Sequence, residues 1–308
     1  MLSISTLHEA AELGATAVTI GKFDGIHRGH QALIAELITV SSEHALQSVL
    51  VTFDRHPDAL LNPTHLKWPL IGPVQKTELV AAAGVAAMLT LSFDERLASQ
   101  PAAEFIQEVL IDSLQAKIVI VGEDFRFGAG GVGDVSLLHD LGQELGFEVR
   151  VVPSATELGL KVSTSTIREM LDRGDVRSAA ELLGRVHTTV GVIEHGLKIG
   201  RTIGFPTANM SRDAEGYLPL DGVYAGWLIA DGVRYPAAHS VGINETFQAV
   251  PRLVESHVLD RKDLDLYDKI VTLEYVEFIR ASAKFDGVEA LVDEINRDLD
   301  KVRNILGL

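Results

Sequence analysis

The sequence predicts an α/β domain with a parallel sheet, followed by a small antiparallel β-barrel that ends in an α-helix. Two observations support this. Before residue 184, short apolar runs alternate with segments of helical periodicity, which is typical of a parallel sheet covered by helices. After Arg185, short β-rich runs follow one another between Gly, Pro, Asn and Asp, which favours a compact barrel. The 308 residues suffice for two domains, predicted at residues 1–184 and 185–308.

The elements of the first domain follow from its apolar pattern. The predicted parallel strands are residues 17–20, 48–53, 86–91, 117–121 and 148–152. Between them, a helix should follow the first strand, with Leu33, Ile34, Leu37 and Ile38 on one face, and further helices should cover residues 102–114 and 135–145. Residues 162–183 have the pattern of two helices, interrupted near Gly174.

The elements of the second domain are shorter and closer together. The predicted strands are residues 187–194, 222–229, 233–240, 253–260 and 270–279. Residues 288–306 should form one amphipathic helix that closes the domain, because apolar residues recur there at helical spacing.

Composition excludes several classes of protein. A net charge of −16 disfavours binding to nucleic acid, whose phosphates require a surface of the opposite sign. The apolar runs are too short for a membrane span, and the start lacks the pattern of a signal peptide, so we expect a cytoplasmic protein without a membrane partner. The absence of cysteine excludes disulfides, thiolate nucleophiles and cysteine zinc sites.

A glycine- and histidine-rich segment follows the first predicted strand. It reads Gly21-Lys22-Phe23-Asp24-Gly25-Ile26-His27-Arg28-Gly29-His30. Glycines permit a sharp turn and close approach to a ligand, and the N-terminus of the next helix suits a phosphate. His27 and His30 can face one ligand and donate hydrogen bonds to phosphate oxygens as charge develops. A structural turn with two surface histidines and a metal site are the alternatives.

Two further segments of the first domain contain ligand-binding groups. In residues 162–168, hydroxyls at the start of a helix can bind phosphate or cap the helix, and Arg168 supplies a planar charged group. Residues 122–128 follow a predicted strand, where open α/β sheets bind ligands, and their Phe125 and Phe127 either shape an aromatic pocket or pack in the core. Residues 128–133 match G-x-G-x-x-G, but other residues separate them from the strand, so we reject a dinucleotide site.

A second glycine-rich segment opens the barrel domain, at residues 196–209. Gly196, Gly200 and Gly204 can expose backbone N–H groups to phosphates. Thr207 and Asn209 offer neutral oxygens that suit a hard cation such as Mg²⁺ beside phosphate oxygens. The alternative is an ordinary turn between two strands.

These segments carry a resemblance to a known family. Residues 21–30 and 162–168 resemble the two signatures of the nucleotidylyltransferase superfamily, and residues 122–128 and 52–57, with His56, resemble loops of its FAD synthetase branch. Residues 204–209 resemble the Gly-Phe-Pro-Thr-Ala-Asn signature of riboflavin kinases, and residues 218–225, 241–247 and 254–260 resemble three of their later segments. Together they resemble the bacterial bifunctional riboflavin kinase/FAD synthetase family.

The resemblance implies a fold and two reactions. The N-terminal domain would be a Rossmann-like nucleotidyltransferase and the C-terminal domain a riboflavin kinase-like barrel. The barrel would phosphorylate riboflavin to FMN, converting ATP to ADP, and the N-terminal domain would transfer AMP from a second ATP to FMN, giving FAD and pyrophosphate. Both reactions would use Mg²⁺. The resemblance leaves the oligomeric state open.

The resemblance also implies roles for individual residues. Glu255 would be the general base of the kinase, with Thr207 and Asn209 as ligands of Mg²⁺ and ATP. His27, His30 and Arg168 would act in adenylyl transfer, with Ser163 and Thr164 on the triphosphate. The remaining nucleotide- or flavin-binding candidates are Gly21, Phe23, Asp24, Gly25, Gly29, Asp124, Phe125, Phe127, Gly196, Gly200 and Gly204.

One residue departs from the family pattern. Glu245 stands where these kinases usually have proline, so the loop loses a fixed φ and gains a charge beside a phosphate site. This leaves two alternatives to a bifunctional enzyme: a monofunctional FAD synthetase with a weakened kinase domain, and a flavin-binding regulator without turnover.

Overall fold

A computed structural model describes residues 1–55, 68–196, 199–242, 252–261 and 263–308. The chain separates into two compact units. The first, here called the sheet unit, comprises Met1–Pro69 and Pro73–Ser163, and the second, the barrel unit, comprises Leu70–Gly72 and Thr164–Leu308. The domain boundary at residues 184 and 185 stays a prediction.

The sheet unit contains a parallel sheet, as the sequence predicts. Its strands are β1 (Leu2–Ile4), β2 (Thr16–Ile20), β3 (Gln47–Phe53), β4 (Ala87–Leu91), β5 (Ala116–Gly122) and β6 (Glu148–Val152). They lie in the order β1-β4-β3-β2-β5-β6, with parallel pairing throughout. The chain runs outward from β2 to β3 and β4 and then returns to β5 on the other side of β2. This reversal creates a crevice at the carboxyl ends of β2 and β5, where open α/β sheets bind ligands.

Helices connect the strands of the sheet unit. They are α1 (Leu7–Ala10), α2 (Arg28–Glu43), α3 (Pro73–Ala82), α4 (Glu95–Ser99), α5 (Ala102–Phe105) and α6 (Val135–Leu145). The predicted helix at residues 102–114 continues from α5 as a π-helix over Ile106–Ser113. Helix α6 has the predicted bounds, because the Asp134 side chain caps its start and Gly146, in the left-handed conformation, ends it. A two-stranded ribbon of β7 (Thr156–Glu157) and β8 (Leu160–Lys161) precedes the end of this unit.

The barrel unit contains the predicted closed antiparallel barrel. Its strands are β9 (His187–Glu194), β10 (Ala208–Met210), β11 (Gly222–Ala230), β12 (Val233–Gly242), β13 (Leu253–Val258) and β14 (Ile270–Ala281), in the order β10-β13-β12-β11-β14-β9. Strand β13 ends two residues before the predicted residue 260, because Asp260 adopts a left-handed φ of 56° in a turn.

Helices flank the barrel within this unit. They are α7 (Thr164–Asp172), α8 (Val176–Leu183), α9 (Ile199–Thr202) and α10 (Val288–Leu306). The break near Gly174 is confirmed, and Gly174 has a φ of 78°. Helix α10 packs Leu299 and Val302 against Ala225 and Leu259 of the barrel. Within the described residues, none of the helices has the length and apolar character that crossing a bilayer requires.

Candidate active sites

The loop between β2 and α2 has a strained backbone. Phe23 and Ile26 have φ angles of 47° and 42°, and Gly25 has a φ of 89°. Such angles are rare for bulky and β-branched residues, and residues in this region cluster at functional sites. The side chains of Phe23 and Ile26 are buried, so their packing holds the loop in this conformation. The loop lies at the crevice between β2 and β5.

His27 and His30 lie together at the N-terminus of α2. The His27 side chain caps the helix, since its Nδ1 accepts a hydrogen bond from the backbone N–H of His30 at 3.3 Å. The two imidazole rings stack with centroids 3.6 Å apart, and the Phe23 ring lies 5.0 Å from that of His30. His27 is only 7% exposed, which contradicts the alternative of a turn with two surface histidines.

The electrostatic environment keeps His30 neutral near pH 7. Loss of solvent, followed by the charges of His27 and Lys76, lowers the pKa of His30 well below its usual value. A neutral imidazole donates one hydrogen bond and accepts another. Within the described residues, no group of three or more histidine, aspartate or glutamate side chains is placed to hold a metal ion.

Lys76 is a neighbour of this loop that the sequence analysis did not identify. Its Nζ donates hydrogen bonds to the carbonyl of Lys22 at 2.9 Å and to Oγ1 of Thr52 at 3.3 Å. Burial lowers the pKa of Lys76, and the charge of nearby Asp24 acts in the opposite direction. Asp24 itself is buried, at 6% exposure. No motif marks residue 76 in the sequence, so only the packing of α3 reveals this contact.

The loop after β5 lies at the same edge of the sheet. Its Asp124 pairs with Lys161 of β8 at 2.8 Å, and this contact holds the pKa of the Asp124 carboxyl below its usual value. The rings of Phe125 and Phe127 stack with centroids 5.4 Å apart. Phe127 is buried in the core of the sheet unit, and Phe125 packs against that core. Phe125 is therefore the better placed of the two to contact a ligand.

Glycines of this region lie against the site side chains. A Cβ on Gly29 would approach the ring of His27 to 3.2 Å, and one on Gly21 would approach the ring of Phe23 to the same distance. Larger residues at either position would push on an aromatic ring of the loop. His56, which the family resemblance singled out, lies outside the described residues.

The other predicted adenylyl-transfer residues span both units. Ser163 is the last residue of the sheet unit, whereas Thr164 and Arg168 belong to α7 of the barrel unit. Arg168 is buried, and its guanidinium lies 5.6 Å from the centre of the Tyr217 ring. The grouping of these three residues with the histidines stays a prediction.

The barrel unit brings Thr207, Asn209 and Glu255 together. Asn209 of β10 pairs with Glu255 of β13 across the two antiparallel strands. The hydroxyl of Thr207 donates a hydrogen bond to Oε2 of Glu255 at 3.3 Å. His257 Nδ1 donates to the carbonyl of Pro206 at 2.8 Å, which fixes the turn before Thr207. The sequence analysis did not assign a role to His257.

Two glycines lie directly against these groups. A Cβ on Gly196 would collide with the side-chain amide of Asn209, and a Cβ on Gly200 would collide with the carbonyl of Phe205. The segment folds back on itself, since the N–H of Phe205 bonds to the carbonyl of Gly200 at 2.8 Å. Gly204 adopts a left-handed φ of 93°. Glycine at 196 and 200 is thus required by close packing and at 204 by backbone conformation.

Thr207, Asn209 and Glu255 line a cavity of about 1060 Å³ in the barrel unit. Leu291, Ile295 and Leu299 of α10 form an apolar part of its wall. A cavity with one apolar wall and a few convergent polar groups is typical of a binding site for a small molecule.

Comparisons with known proteins identify the family of the chain. A model of the FAD synthetase family matches residues 9–166, and a model of the riboflavin kinase family matches residues 183–306. The bifunctional riboflavin kinase/FMN adenylyltransferase of Pseudomonas fluorescens is 35% identical over 92% of this chain and 91% of its own length. The chain belongs to this family. The family members from Escherichia coli K12 and Listeria monocytogenes are 33% and 32% identical, over 99% and 93% of the chain and 97% and 91% of their own lengths.

The fold of this chain is also similar to that of a solved structure over almost the whole of both chains. The crystal structure of a macrolide-efflux protein from Streptococcus pneumoniae has a TM-score of 0.89, 32% identity and 99% coverage of both chains. The word efflux in that name is a statement about the Streptococcus protein. Family membership of the present chain rests on the two matched domains and their order.

Proposed function

We propose that this chain is a bifunctional enzyme of flavin cofactor synthesis. Its barrel, within residues 185–308, phosphorylates riboflavin to FMN with ATP, and its N-terminal domain, residues 1–184, adenylylates FMN to FAD with release of pyrophosphate. The observation that carries the proposal is that each matched family domain contains a separate set of convergent polar groups: the stacked pair His27 and His30 in one, and Thr207 with Glu255 in the other.

In the kinase reaction, Glu255 is the proposed general base. Its carboxylate takes the proton from the terminal ribityl hydroxyl of riboflavin as that oxygen attacks the γ-phosphorus of ATP and ADP departs. Thr207 orients the carboxylate through its hydrogen bond. The apolar wall of α10 receives the isoalloxazine ring.

The donor set around Glu255 fits Mg²⁺. A hydroxyl oxygen from Thr207 and an amide oxygen from Asn209 are hard neutral ligands, which Mg²⁺ accepts alongside phosphate oxygens. Packing of Gly196 against Asn209 holds that amide in place. When bound, the ion would neutralise charge on the phosphate oxygens during transfer.

In the adenylyl transfer, the phosphate of FMN attacks the α-phosphorus of ATP, and pyrophosphate leaves. The attacking phosphate is already anionic, so positioning and charge stabilisation suffice and no strong base is needed. His27 and His30 donate hydrogen bonds to the phosphates at the N-terminus of α2, whose dipole favours negative charge. Ser163, Thr164 and Arg168 are proposed to bind the triphosphate, and Phe125 to contact the flavin.

A single assay tests the proposal against its alternatives. The purified chain is given riboflavin, ATP and Mg²⁺, and the flavins are separated by chromatography. Appearance of FMN and then FAD supports a bifunctional enzyme. FAD formed only from supplied FMN supports a monofunctional synthetase, the alternative raised by Glu245, which lies outside the described residues. No new flavin from either substrate contradicts both enzyme functions and leaves a binding protein.

A further inference from the structure

Lys76 connects helix α3 to the carboxyl ends of two central strands. Its Nζ donates to the carbonyl of Lys22, the second residue after β2, and to Oγ1 of Thr52 in β3. The Thr52 hydroxyl in turn donates to the same Lys22 carbonyl at 3.1 Å. One carbonyl oxygen therefore accepts two hydrogen bonds, one from a cation, and both of its lone pairs are engaged.

The carbonyl that Lys76 binds precedes a strained residue. Lys22 is followed by Phe23, whose left-handed φ of 47° is unfavourable for a residue with a side chain. A peptide group fixed by two hydrogen bonds cannot rotate to relieve that strain. Lys76 thus helps to hold the segment from Lys22 to His27, and His27 at the end of that segment caps α2.

Lys76 also contributes charge beside His30. The charged or titratable groups that act on His30 are His27 from the cap and Lys76 from α3. Asp24 from the loop acts on Lys76, and Asp124 from the loop after β5 interacts with His27. Lys76 is one of the two groups whose charge lowers the pKa of His30. Burial is the largest cause of the low pKa of His30 and would remain, so removing the charge of Lys76 should let that pKa rise only in part.

We propose that Lys76 is a positioning residue of the adenylyl-transfer site, which holds the segment from Lys22 to His27 in its ligand-binding conformation and supplies positive charge beside His30. This inference rests on the proposed adenylyl-transfer function. Lys76 acts through the loop and the histidine, and it is not assigned a contact with the reacting atoms.

The test uses the full chain and compares three substitutions. Lys76→Met removes the charge and the donors at similar length, Lys76→Arg keeps both, and Lys117→Met is a matched control because Lys117 is an exposed lysine of β5. Rates of FMN-to-FAD and riboflavin-to-FMN conversion are measured on each preparation. The histidine ring protons are titrated by NMR, with the His30 signal assigned through His30→Gln.

We expect Lys76→Met to slow FAD formation by about tenfold to a hundredfold, the usual range for losing hydrogen bonds from a charged group, with FMN formation within twofold of the unsubstituted chain. The pKa of His30 should rise. Lys76→Arg should recover most of the FAD-forming rate, and Lys117→Met should match the unsubstituted chain.

Two results would overturn the proposal. One is a Lys76→Met chain that forms FAD at the normal rate with an unchanged pKa of His30. The other is a folded Lys76→Arg chain as slow as Lys76→Met, because charge would then not be what the position supplies. If Lys76→Met does not fold, as judged by circular dichroism, a folded Lys76→Arg chain that forms FAD at less than about a tenth of the unsubstituted rate overturns the proposal. Failure of the unsubstituted chain to form FAD would instead contradict the proposed function.

Discussion

The hydroxyl of Thr207 donates a hydrogen bond to a carboxylate oxygen of Glu255 at 3.3 Å. Glu255 lies in β13, and Thr207 directly precedes β10, the strand that pairs with β13. A carboxylate with one oxygen held in this way presents its other oxygen in a fixed direction. The contact therefore links the proposed base of the kinase to a proposed ligand of the metal.

The first prediction concerns this contact. Thr207→Val keeps the shape of the side chain but removes the hydroxyl, so the riboflavin-to-FMN rate should fall by about tenfold to a hundredfold, as for the loss of a hydrogen bond to a charged group. Thr207→Ser retains the hydroxyl and should keep most of the rate. Chromatography of flavins measures both. Equal rates in the two variants would show that the hydroxyl is not used.

The second prediction concerns Gly196. In Gly196→Ala, the new methyl group should displace the amide of Asn209, so the concentration of Mg²⁺ needed for half-maximal kinase rate should rise several-fold. Gly232→Ala is the control, because Gly232 lies in the turn between β11 and β12 with open space around its Cα. Its left-handed φ should cost about 1 kcal/mol of stability and leave the Mg²⁺ dependence unchanged. An unchanged Mg²⁺ requirement in Gly196→Ala would contradict the assignment of Asn209.

The third prediction concerns pH and the interior of the barrel. Burial lowers the pKa values of His187 and His239 to about 4 each. The unfolded chain therefore binds more protons between about pH 6.5 and pH 4, so stability should be complete above this window and fall within it as the pH decreases. Each histidine can contribute up to about 1.4 kcal/mol per pH unit.

Unfolding of the barrel can be followed through Trp227 of β11 once Trp68, which is 78% exposed, is replaced by phenylalanine. We expect the urea midpoint to decrease from pH 6.5 to pH 5, a range above the usual pKa values of carboxylates. A midpoint that stays constant over this range would mean that the two histidines are not buried in the neutral form.

The fourth prediction concerns the attachment of α10 to the barrel. Arg280 of β14 contacts Oδ2 of Asp298 at 2.8 Å, and the Asp298 side chain is only 4% exposed. Arg280→Met leaves that carboxylate buried without its main partner, which should destabilise the barrel unit by about 3–5 kcal/mol. The double variant Arg280→Met/Asp298→Leu removes both charges and should regain part of the loss. Equal stability of the single and double variants, measured through Trp227, would contradict this.

Much of the fold could be predicted from the sequence where an element is long and periodic. The strand β9 and the helices α6 and α10 have the predicted bounds, because alternation or helical spacing continues to a clear cap or turn. Strand β10 escaped prediction because it has only three residues, and its pairing with β13 joins distant parts of the chain.

For the sites too, the sequence predicted local contacts better than contacts between distant parts of the chain. The proximity of His27 and His30 followed from their spacing at the start of a helix. The contact between Thr207 and Glu255 spans 48 residues, so local pattern cannot predict it, and only the family resemblance suggested it. Lys76 was missed because its role depends on how α3 packs against two strand ends.

The most direct test of two separate active sites is the flavin product of two substitutions, measured by chromatography. Given riboflavin and ATP, Glu255→Gln should form almost no FMN, yet it should convert supplied FMN to FAD at nearly the normal rate. His30→Ala should form FMN normally and almost no FAD. Loss of both activities from either folded variant would contradict the account.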